Sequence, residues 1–531
     1  MRTFNNADTV AIRAICELNY TNPFTSRRIE LEQLALGAEF DTQEIGFWSH
    51  IDPQNPQRRA NVIKVAKKAK SLLSRLHAEL HSGQKFDACE LQFYVDLACF
   101  VLFDELLDVW EYPSMSYTDK LHKTNRRSTP EIWKKYSKQF DHWLLVPGCS
   151  FLTHEDKGHL FAIFHQIYRA FFAIFYCVIG RSKPAALLRS RIWESIFTVN
   201  MRRYRDSLYK HLAEVTTLVT GPSGSGKELV SRSIGLARYI PFDRSKEEFR
   251  SDFSNCYWAV NIAALSSNLV ESELFGHAKG SFTGAVSSRA GWLEICGQDG
   301  SILLDEIGEL EMTTQVKLLR VLQNREFQRI GESKTREFQG KLIAATNRDL
   351  QNEIQNAHFR EDLYYRLCAD VIETPSLQAQ VKDNPDVLPD LVGFIVQRIA
   401  PDVQAELTNE IVLWLEANVP ANYSWPGNFR ELEQSVRNLM IHGSYQFQKN
   451  NESRNSDAGR YNALNDPQIA ALAQKISDLD LTADELTSAY CKIAYSKTQS
   501  FEKAAQRLQL DRRTVRRKSD AFKDSRQSRK D

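Results

Sequence analysis

The run VTTLVTGPSGSGKE, residues 215–228, holds the side chains with the clearest chemistry in this 531-residue chain. It sets G-x-x-x-x-G-K directly after an apolar, strand-like stretch and before a helical one, the context in which this motif cradles phosphates. Gly221, Pro222, Ser223, Gly224, Ser225 and Gly226 form a loop whose backbone N–H groups converge on an anion, and Lys227 pairs with the β- and γ-phosphates. Glu228 stands where the motif usually has its magnesium-binding Ser or Thr, so metal coordination falls to another carboxylate. Asp305 and Glu306 end the apolar run SILLDE and so stand at the carboxyl edge of a sheet, where a ligand lies. Asp305 fits the Mg²⁺-bound water, and Glu306 fits the group that orients or deprotonates the attacking water, so the expected cofactors are ATP and Mg²⁺. Between the loop and the acids lies ESELFGHAKGSFTGA, residues 271–285, with Phe282 and Thr283 on a glycine-flanked, exposed tip.

These groups need a rigid scaffold. From about residue 200, EVTTLVT, YWAVNIA, SILLDE, KLIAATN and DVIET read as short strands alternating with amphipathic segments, which predicts a parallel sheet covered on both faces by helices. A helix-rich part follows, from about Pro375 to Gly443. Residues Gln446 to Pro467 are polar and rich in Asn, Ser and Asp, and read as a flexible linker.

Residues 1–190 read as a mainly helical domain. Ile63, Ala66, Leu73, Leu76 and Leu80 recur at helical spacing beside Lys64, Lys67, Lys68 and Arg75, and the aromatic run from Cys89 to Tyr112 reads as core. This half shows neither the alternating strands nor the acidic pocket of a phosphoacceptor receiver; its size and aromatic content suggest that it senses a ligand or a protein. The stretch Leu160 to Gly180 is long enough to cross a bilayer, but His165, Gln166 and Arg169 lie near its middle. An arginine there costs about 2.5 to 3.5 kcal/mol, so a buried or dimerising helix is expected. A net charge of +1 commits the whole chain to neither nucleic acid nor membrane, and nine dispersed cysteines without a CxxC pair read as reduced thiols. The N-terminus has no long apolar core or cleavage site, and a cytoplasmic protein without a membrane partner is expected.

The strings GPSGSGKELV, VNIAALSSNLVESELFGHAKGSFTGA, ILLDEIGEL, KLLRVLQNREFQRIG, IAATNRDL, FREDLYYRL and WPGNFREL stand in unbroken order between about Tyr204 and Gly443. Together they resemble the AAA+ domain of sigma-54-dependent transcriptional activators, also called bacterial enhancer-binding proteins. The resemblance implies a multidomain chain: the mainly α N-terminal domain at 1–190, an α/β AAA+ P-loop NTPase core at 191–375, a helical lid at 376–445, the linker at 446–470 and an all-α DNA-binding domain at 471–531. Glu in the place of Glu228 is usual in that family. Asn347, with Thr346 beside it, resembles the first sensor of the γ-phosphate, and Asn261 the asparagine that holds the catalytic glutamate until the nucleotide state changes. Arg360 and Arg366 resemble arginine fingers that reach a neighbouring subunit's nucleotide, where they stabilise charge on the transferring phosphoryl group. Arg430 resembles the second sensor in the lid, and Phe282 with Thr283 is the implied sigma-54 contact. Two departures stand out: TPSLQAQVKDNPD replaces a PPLRER-like stretch, and Ser281 replaces the alanine of the usual GAFTGA.

In the last sixty or so residues, Thr482 and Glu485 read as a capping box, and Phe501, Ala504, Ala505 and Leu508 as one apolar helix face. A break at Gln509 and Leu510 is followed by Asp511 as N-cap of a helix bearing Arg512, Arg513, Thr514, Arg516 and Arg517. The spacing is that of a helix-turn-helix, and residues 501–531 carry an excess of six positive charges, which favours a phosphate backbone. The segment resembles the Fis-like domain that ends many such activators, with those five residues as candidates for contacting DNA. The expected function is an ATP-dependent transcription activator that binds double-stranded DNA upstream of promoters and remodels the sigma-54 RNA polymerase closed complex. The resemblance implies a homo-oligomeric ring, a hexamer. Two rivals are an AAA+ remodeller of another protein target, against which GSFTGA argues, and a DNA-binding repressor or scaffold with structural nucleotide, against which Asp305, Glu306, Arg360 and Arg366 argue.

Overall fold

The computed structural model describes residues 6–42, 60–107, 109–110, 125–148, 151–282, 285–420, 422–447, 482–498 and 500–524. The chain forms two compact units, 1–445 and 446–531. The predicted linker at 446–470 lies almost wholly outside the described residues.

All five expected strands are present. They are β1 (Thr217–Thr220), β4 (Tyr257–Asn261), β7 (Ser301–Asp305), β10 (Lys341–Thr346) and β11 (Asp370–Glu373). Between them run three two-stranded hairpins, β2 (Phe242–Asp243) with β3 (Glu248–Phe249), β5 (Gly276–His277) with β6 (Arg289–Ala290), and β8 (Glu326–Gln328) with β9 (Thr335–Glu337). The main sheet is parallel throughout, in the order β11-β1-β10-β7-β4. Alternate side chains serve opposite faces, as strand geometry requires. Leu218, Ile302, Leu304, Leu342 and Ala344 enter one core, and Val219, Leu303, Ile343, Ala345 and Ile372 enter the other.

The second core is shared with the N-terminal half. Helices α1 (Asn6–Leu18), α2 (Ser26–Leu36), α3 (Ala60–His81), α4 (Ala88–Leu107) and α5 (Asn125–Leu144) build a core with Leu160, Phe161 and Phe164 from the next helix. That helix, α6 (Asp156–Cys177), and α7 (Lys183–Phe197) also send Ile174, Ile192, Trp193 and Phe197 into the cluster that holds Val219 and Ile343 of the sheet. Helix α8 (Met201–Asp206) adds Met201 and Tyr204, and α9 (Lys227–Leu236), the helix after the phosphate loop, adds Val230 and Ile234. Position 190 therefore falls inside α7, within a continuous core rather than at a linker.

Helix α6 is the one helix among the described residues that is long and apolar enough to cross a membrane, and its apolar window is 72% buried inside the fold. Two of its mid-helix polar residues, Gln166 and Arg169, find backbone partners in the protein. Gln166 Nε2 donates to Ala237 O at 2.9 Å, Arg169 Nη1 to Leu236 O at 2.6 Å and Arg169 Nη2 to Arg238 O at 2.6 Å. Those carbonyls lie at the end of α9, which a helix leaves without internal partners. Along α3 the buried face is Val65, Ala69, Leu72, Leu73, Leu76 and Leu80, whereas Ile63, expected inward, is 37% exposed. The face runs through Asn61 instead, whose amide exchanges hydrogen bonds with the backbone of Asp41.

Helices α10 (Ser267–Phe275), α11 (Trp292–Ile295), α12 (Met312–Asn324), α13 (Leu350–Gln355) and α14 (Glu361–Leu367) cover the first face of the sheet. The helical part after β11 comprises α15 (Leu377–Asp383), α16 (Val387–Ile399), α17 (Gln404–Asn418) and α18 (Asn428–His442). The divergent TPSLQAQVKDNPD segment folds into α15: Ser376 caps it by accepting from Ala379 N at 3.1 Å. That helix also meets α7, with Asp383 accepting from Lys183 N at 2.7 Å and Ser182 Oγ donating to Gln380 at 3.3 Å.

Among the described residues of the second unit the helices are Ala483–Thr498, Phe501–Leu508 and Arg512–Asp524, around Cys491, Ala504, Ala505 and Val515. Thr482 and Glu485 form the capping box, with Thr482 N donating to Glu485 Oε2 at 2.9 Å. Gln509 takes a left-handed conformation at φ 50° and ends the second helix, and Asp511 starts the third by accepting from Thr514 N at 2.9 Å.

Candidate nucleotide site

The parallel register aligns the carboxyl ends of the strands. Asn261 is paired with Asp305, Asp305 with Ala345, and Thr220 with both Thr346 and Glu373. The loop from Gly221 to Gly226 leaves β1 at this edge and enters α9, so its N–H groups and the helix N-terminus meet the acids of β7 there. Gly221, Gly224 and Gly226 have φ of 138°, 73° and 93°, a region costly for any residue with a Cβ. A Cβ on Gly221 would strike Thr374, and one on Gly224 would strike the carbonyl of Gly427, while nothing lies within 4 Å of the Gly226 position.

Two residues that sequence reasoning passed over fasten this loop. Thr374, just after β11, donates to Thr220 O at 3.0 Å and shares a 2.6 Å hydrogen bond with Ser225 Oγ. Asn428 joins loop and lid: its Nδ2 donates to Ser223 O at 3.0 Å, and its Oδ1 accepts from Leu377 N at 2.9 Å. Its place inside WPGNFREL was the available signal; Thr374 had none, because its partners lie about 150 residues away.

Lys227 Nζ donates to Gly221 O at 3.0 Å and Pro222 O at 3.1 Å. Burial lowers its pKa, against the pull of Glu306 and Asp305. The Asp305 carboxyl is raised above its ordinary range by burial first, and Glu228 adds to that rise while Lys227 and Arg430 oppose it. Asp305, Glu228, Lys227 and Arg430 thus share one electrostatic neighbourhood. Arg430 is exposed, with its Cβ close to Gly224. Two hard carboxylates beside a phosphate loop suit a cation that takes oxygen ligands, so the donor set fits Mg²⁺.

Glu306 has φ 55°, a left-handed conformation that costs a non-glycine residue of order 1–3 kcal/mol and clusters at functional sites. Its Oε2 accepts from Asn347 N at 3.3 Å. Asn261 stands beside Asp305 in register, but its Oδ1 caps the turn that follows by accepting from Ala264 N at 3.2 Å. Asn261 therefore does not bridge to Glu306 here; Asn347 does. Thr346 Oγ1 accepts from Arg348 N at 3.0 Å. Arg360, N-cap of α14, is tied to Asp362 at 2.7 Å, and Arg366 in the last turn of that helix is exposed. Both lie on one surface helix.

The tip near Phe282 stands on the β5–β6 hairpin. Ala278 N donates to Ile330 O and Ile330 N to Gly276 O, each at 2.9 Å, so the base of the tip is bonded to the β8–β9 turn. Phe282 is 43% exposed and lies edge-on to the His277 ring at 5.0 Å. Ser281 Oγ donates to Ala278 O at 2.8 Å, and a Cβ on Gly331 would come within 2.6 Å of the Ser281 Cβ. The hydroxyl is satisfied internally, so the added oxygen leaves the tip's fold intact. Thr283 lies outside the described residues.

A parallel sheet in this order, with a phosphate loop after β1 and acids at the end of β7, two strands across, defines a P-loop fold of the AAA+ class. Residues 198–373 match the family described as the Sigma-54 interaction domain, so this segment is similar to that domain of sigma-54-dependent regulators. It is 40% identical over 230 residues to the Transcriptional regulatory protein ZraR of Escherichia coli (strain K12), covering 43% of this chain and 48% of that one. Against the Sigma54-dependent transcriptional regulator SfnR of Pseudomonas fluorescens it is 39% identical over 240 residues, covering 43% and 57%. The chain spans about half the length of the curated relatives it matches. A solved structure of NtrX from Brucella abortus in complex with ATP aligns at 25% identity over 65% of this chain and 68% of that one, with TM-score 0.37.

Proposed function

We propose that this chain is an ATP-dependent transcription activator that remodels the sigma-54 RNA polymerase closed complex. The observation that carries the reading is the presence, in a segment matching the Sigma-54 interaction domain, of a phosphate loop at the sheet edge that holds two acids and of an exposed aromatic tip on the β5–β6 hairpin. The loop and Lys227 would bind the triphosphate, with Lys227 exchanging the Gly221 and Pro222 carbonyls for phosphate oxygens. Asp305 would hold Mg²⁺ through water, and the ion would neutralise charge on the phosphates. Glu306 would orient or deprotonate the attacking water, Asn347 would report the γ-phosphate to it, and Arg430 would close the lid over the nucleotide. Arg360, half-buried at the N-cap of α14, and Arg366, exposed in its last turn, would serve a neighbouring subunit's site in a ring, a hexamer in this reading, making hydrolysis depend on assembly.

Phe282, with Thr283, would touch sigma-54. Phe282→Ala is expected to weaken nucleotide-dependent binding to purified sigma-54 by about tenfold or more, with ATP hydrolysis preserved. Pull-down and phosphate-release assays read the two effects separately, and unchanged capture would favour remodelling of another target.

The second unit would be a Fis-like helix-turn-helix. Arg512, Arg513, Arg516 and Arg517 are exposed on its last helix, whereas Thr514 is bonded to Asp511 and half-buried, which leaves the arginines as the main DNA contacts. Arg512→Ala with Arg513→Ala should flatten the dependence of log K on log salt by about one per lost phosphate contact. A double variant with the parent's salt slope in a filter-binding assay would remove both residues from the interface. A cytoplasmic location accords with this function.

A further inference from the structure

The helical half holds a partly open cavity of about 250 Å³ where α1, α2, α3, α4, α6, α7 and α8 converge. Its walls are dominated by rings, among them Phe100, Phe103, Phe164, Phe171, Trp193 and Tyr204. The charged groups among the lining residues include two that have carboxylate partners within the protein: Arg28 pairs with Glu32 at 3.3 Å, and Arg205 with Asp206 at 2.7 Å. Such walls ask for no net charge in an occupant. Dry apolar cavities of about 150 Å³ admit benzene, so this one has room for about two rings.

The cavity is wired to the nucleotide half. Tyr204, one of its walls, donates from Oη to Gln166 Oε1 at 2.9 Å, and Gln166 Nε2 donates to Ala237 O at 2.9 Å, at the end of α9. Trp193, another wall, shares a core with Val230 and Ile234 of α9. Packed cores are close to incompressible, so filling or emptying the cavity moves its walls, and α9 with them.

We propose that this cavity is an effector site for a neutral, ring-bearing small molecule, whose occupancy is transmitted through Tyr204 and Gln166 to the helix that follows the phosphate loop. The coupling rests on the ATPase reading above; the binding site stands on its own geometry.

The test titrates the full chain with N-phenyl-1-naphthylamine, a neutral probe that fluoresces on leaving water. Saturation at one probe per chain is expected. Val62→Phe and Ile167→Trp, partly exposed positions on separate walls, should each weaken binding about tenfold or more by filling the space. Non-saturating uptake, or parental affinity in either folded variant, overturns the site. Should neither variant fold, energy transfer decides: Trp193→Phe must lower tryptophan-to-probe transfer, and unchanged transfer overturns the site. Saturating probe should change the ATPase rate about twofold or more in the parent, and Gln166→Leu should bind the probe with no such response. A chain that hydrolyses ATP at the same rate with and without bound probe overturns the coupling, while one that binds the probe but never hydrolyses ATP sinks the ATPase reading and leaves the site standing.

Discussion

Glu306→Gln is expected to cut ATP hydrolysis by about 100-fold or more while nucleotide still binds. The physical basis is the difference between a carboxylate and an amide of the same shape. Glutamine can keep the hydrogen bond that Glu306 Oε2 accepts from Asn347 N, and it suits the same backbone, so the site should keep its geometry. What it lacks is the negative charge and basicity that orient and deprotonate water. The left-handed φ of 55° at this position is strain that the native chain tolerates, and a neutral side chain does not relieve it. Phosphate release and fluorescent-nucleotide binding measure the two halves of the prediction. A variant that hydrolyses ATP within about tenfold of the parent would take Glu306 out of the chemistry and hand the role to another group.

Arg169→Ala should destabilise the larger unit by about 3 kcal/mol or more, the largest effect expected for a residue remote from the nucleotide. The guanidinium is buried, gives charge-assisted hydrogen bonds of 2.6 Å to Leu236 O and Arg238 O, and lies 5.1 Å from the Phe253 ring centroid. Alanine removes a cation placed favourably at the end of α9 and leaves two buried carbonyls without these donors, each costing roughly 1–3 kcal/mol. It also opens a gap between α6 and α9. Denaturant or thermal unfolding should show an earlier transition, with Arg169→Lys recovering part of the loss through one of the two bonds. Unfolding that coincides with the parent's would mean that water replaces the guanidinium at no cost, and the junction would then be looser than its bonds imply. Because α9 carries the phosphate loop, weaker nucleotide binding should accompany the loss of stability.

The two sites show different degrees of legibility in the residues themselves. Lys227, Asp305 and Glu306 were readable because a glycine-rich turn between strand and helix, and acids at the end of an apolar strand, are local patterns set by chain geometry. Their meeting at one edge followed from the parallel sheet that the alternating segments predict. The Asn261 amide was not readable: whether it caps Ala264 or reaches Glu306 turns on a side-chain torsion that no spacing specifies. Nor could Thr374 and Asn428 be assigned to the loop, since each is defined by partners 149 to 205 residues away.

By itself the sequence determined the five strands, the phosphate loop, the capping box at Thr482 and Glu485, and the start of the last helix at Asp511, because each depends on periodicity or hydrogen bonds within a few residues. Tertiary structure alone decided what α6 is for. Its length and apolar composition suit a bilayer or a core equally, and His165, Gln166 and Arg169 argue only against lipid. The value of Gln166 and Arg169 appears once the end of α9 supplies carbonyls from 67 to 71 residues further along. The same long-range packing placed α6, α7 and α8 in one core with the sheet and left a ring-lined cavity among the N-terminal helices. Burial of this kind is a property of surfaces brought together from distant parts of the chain, and local residue order carries no record of which surfaces will meet.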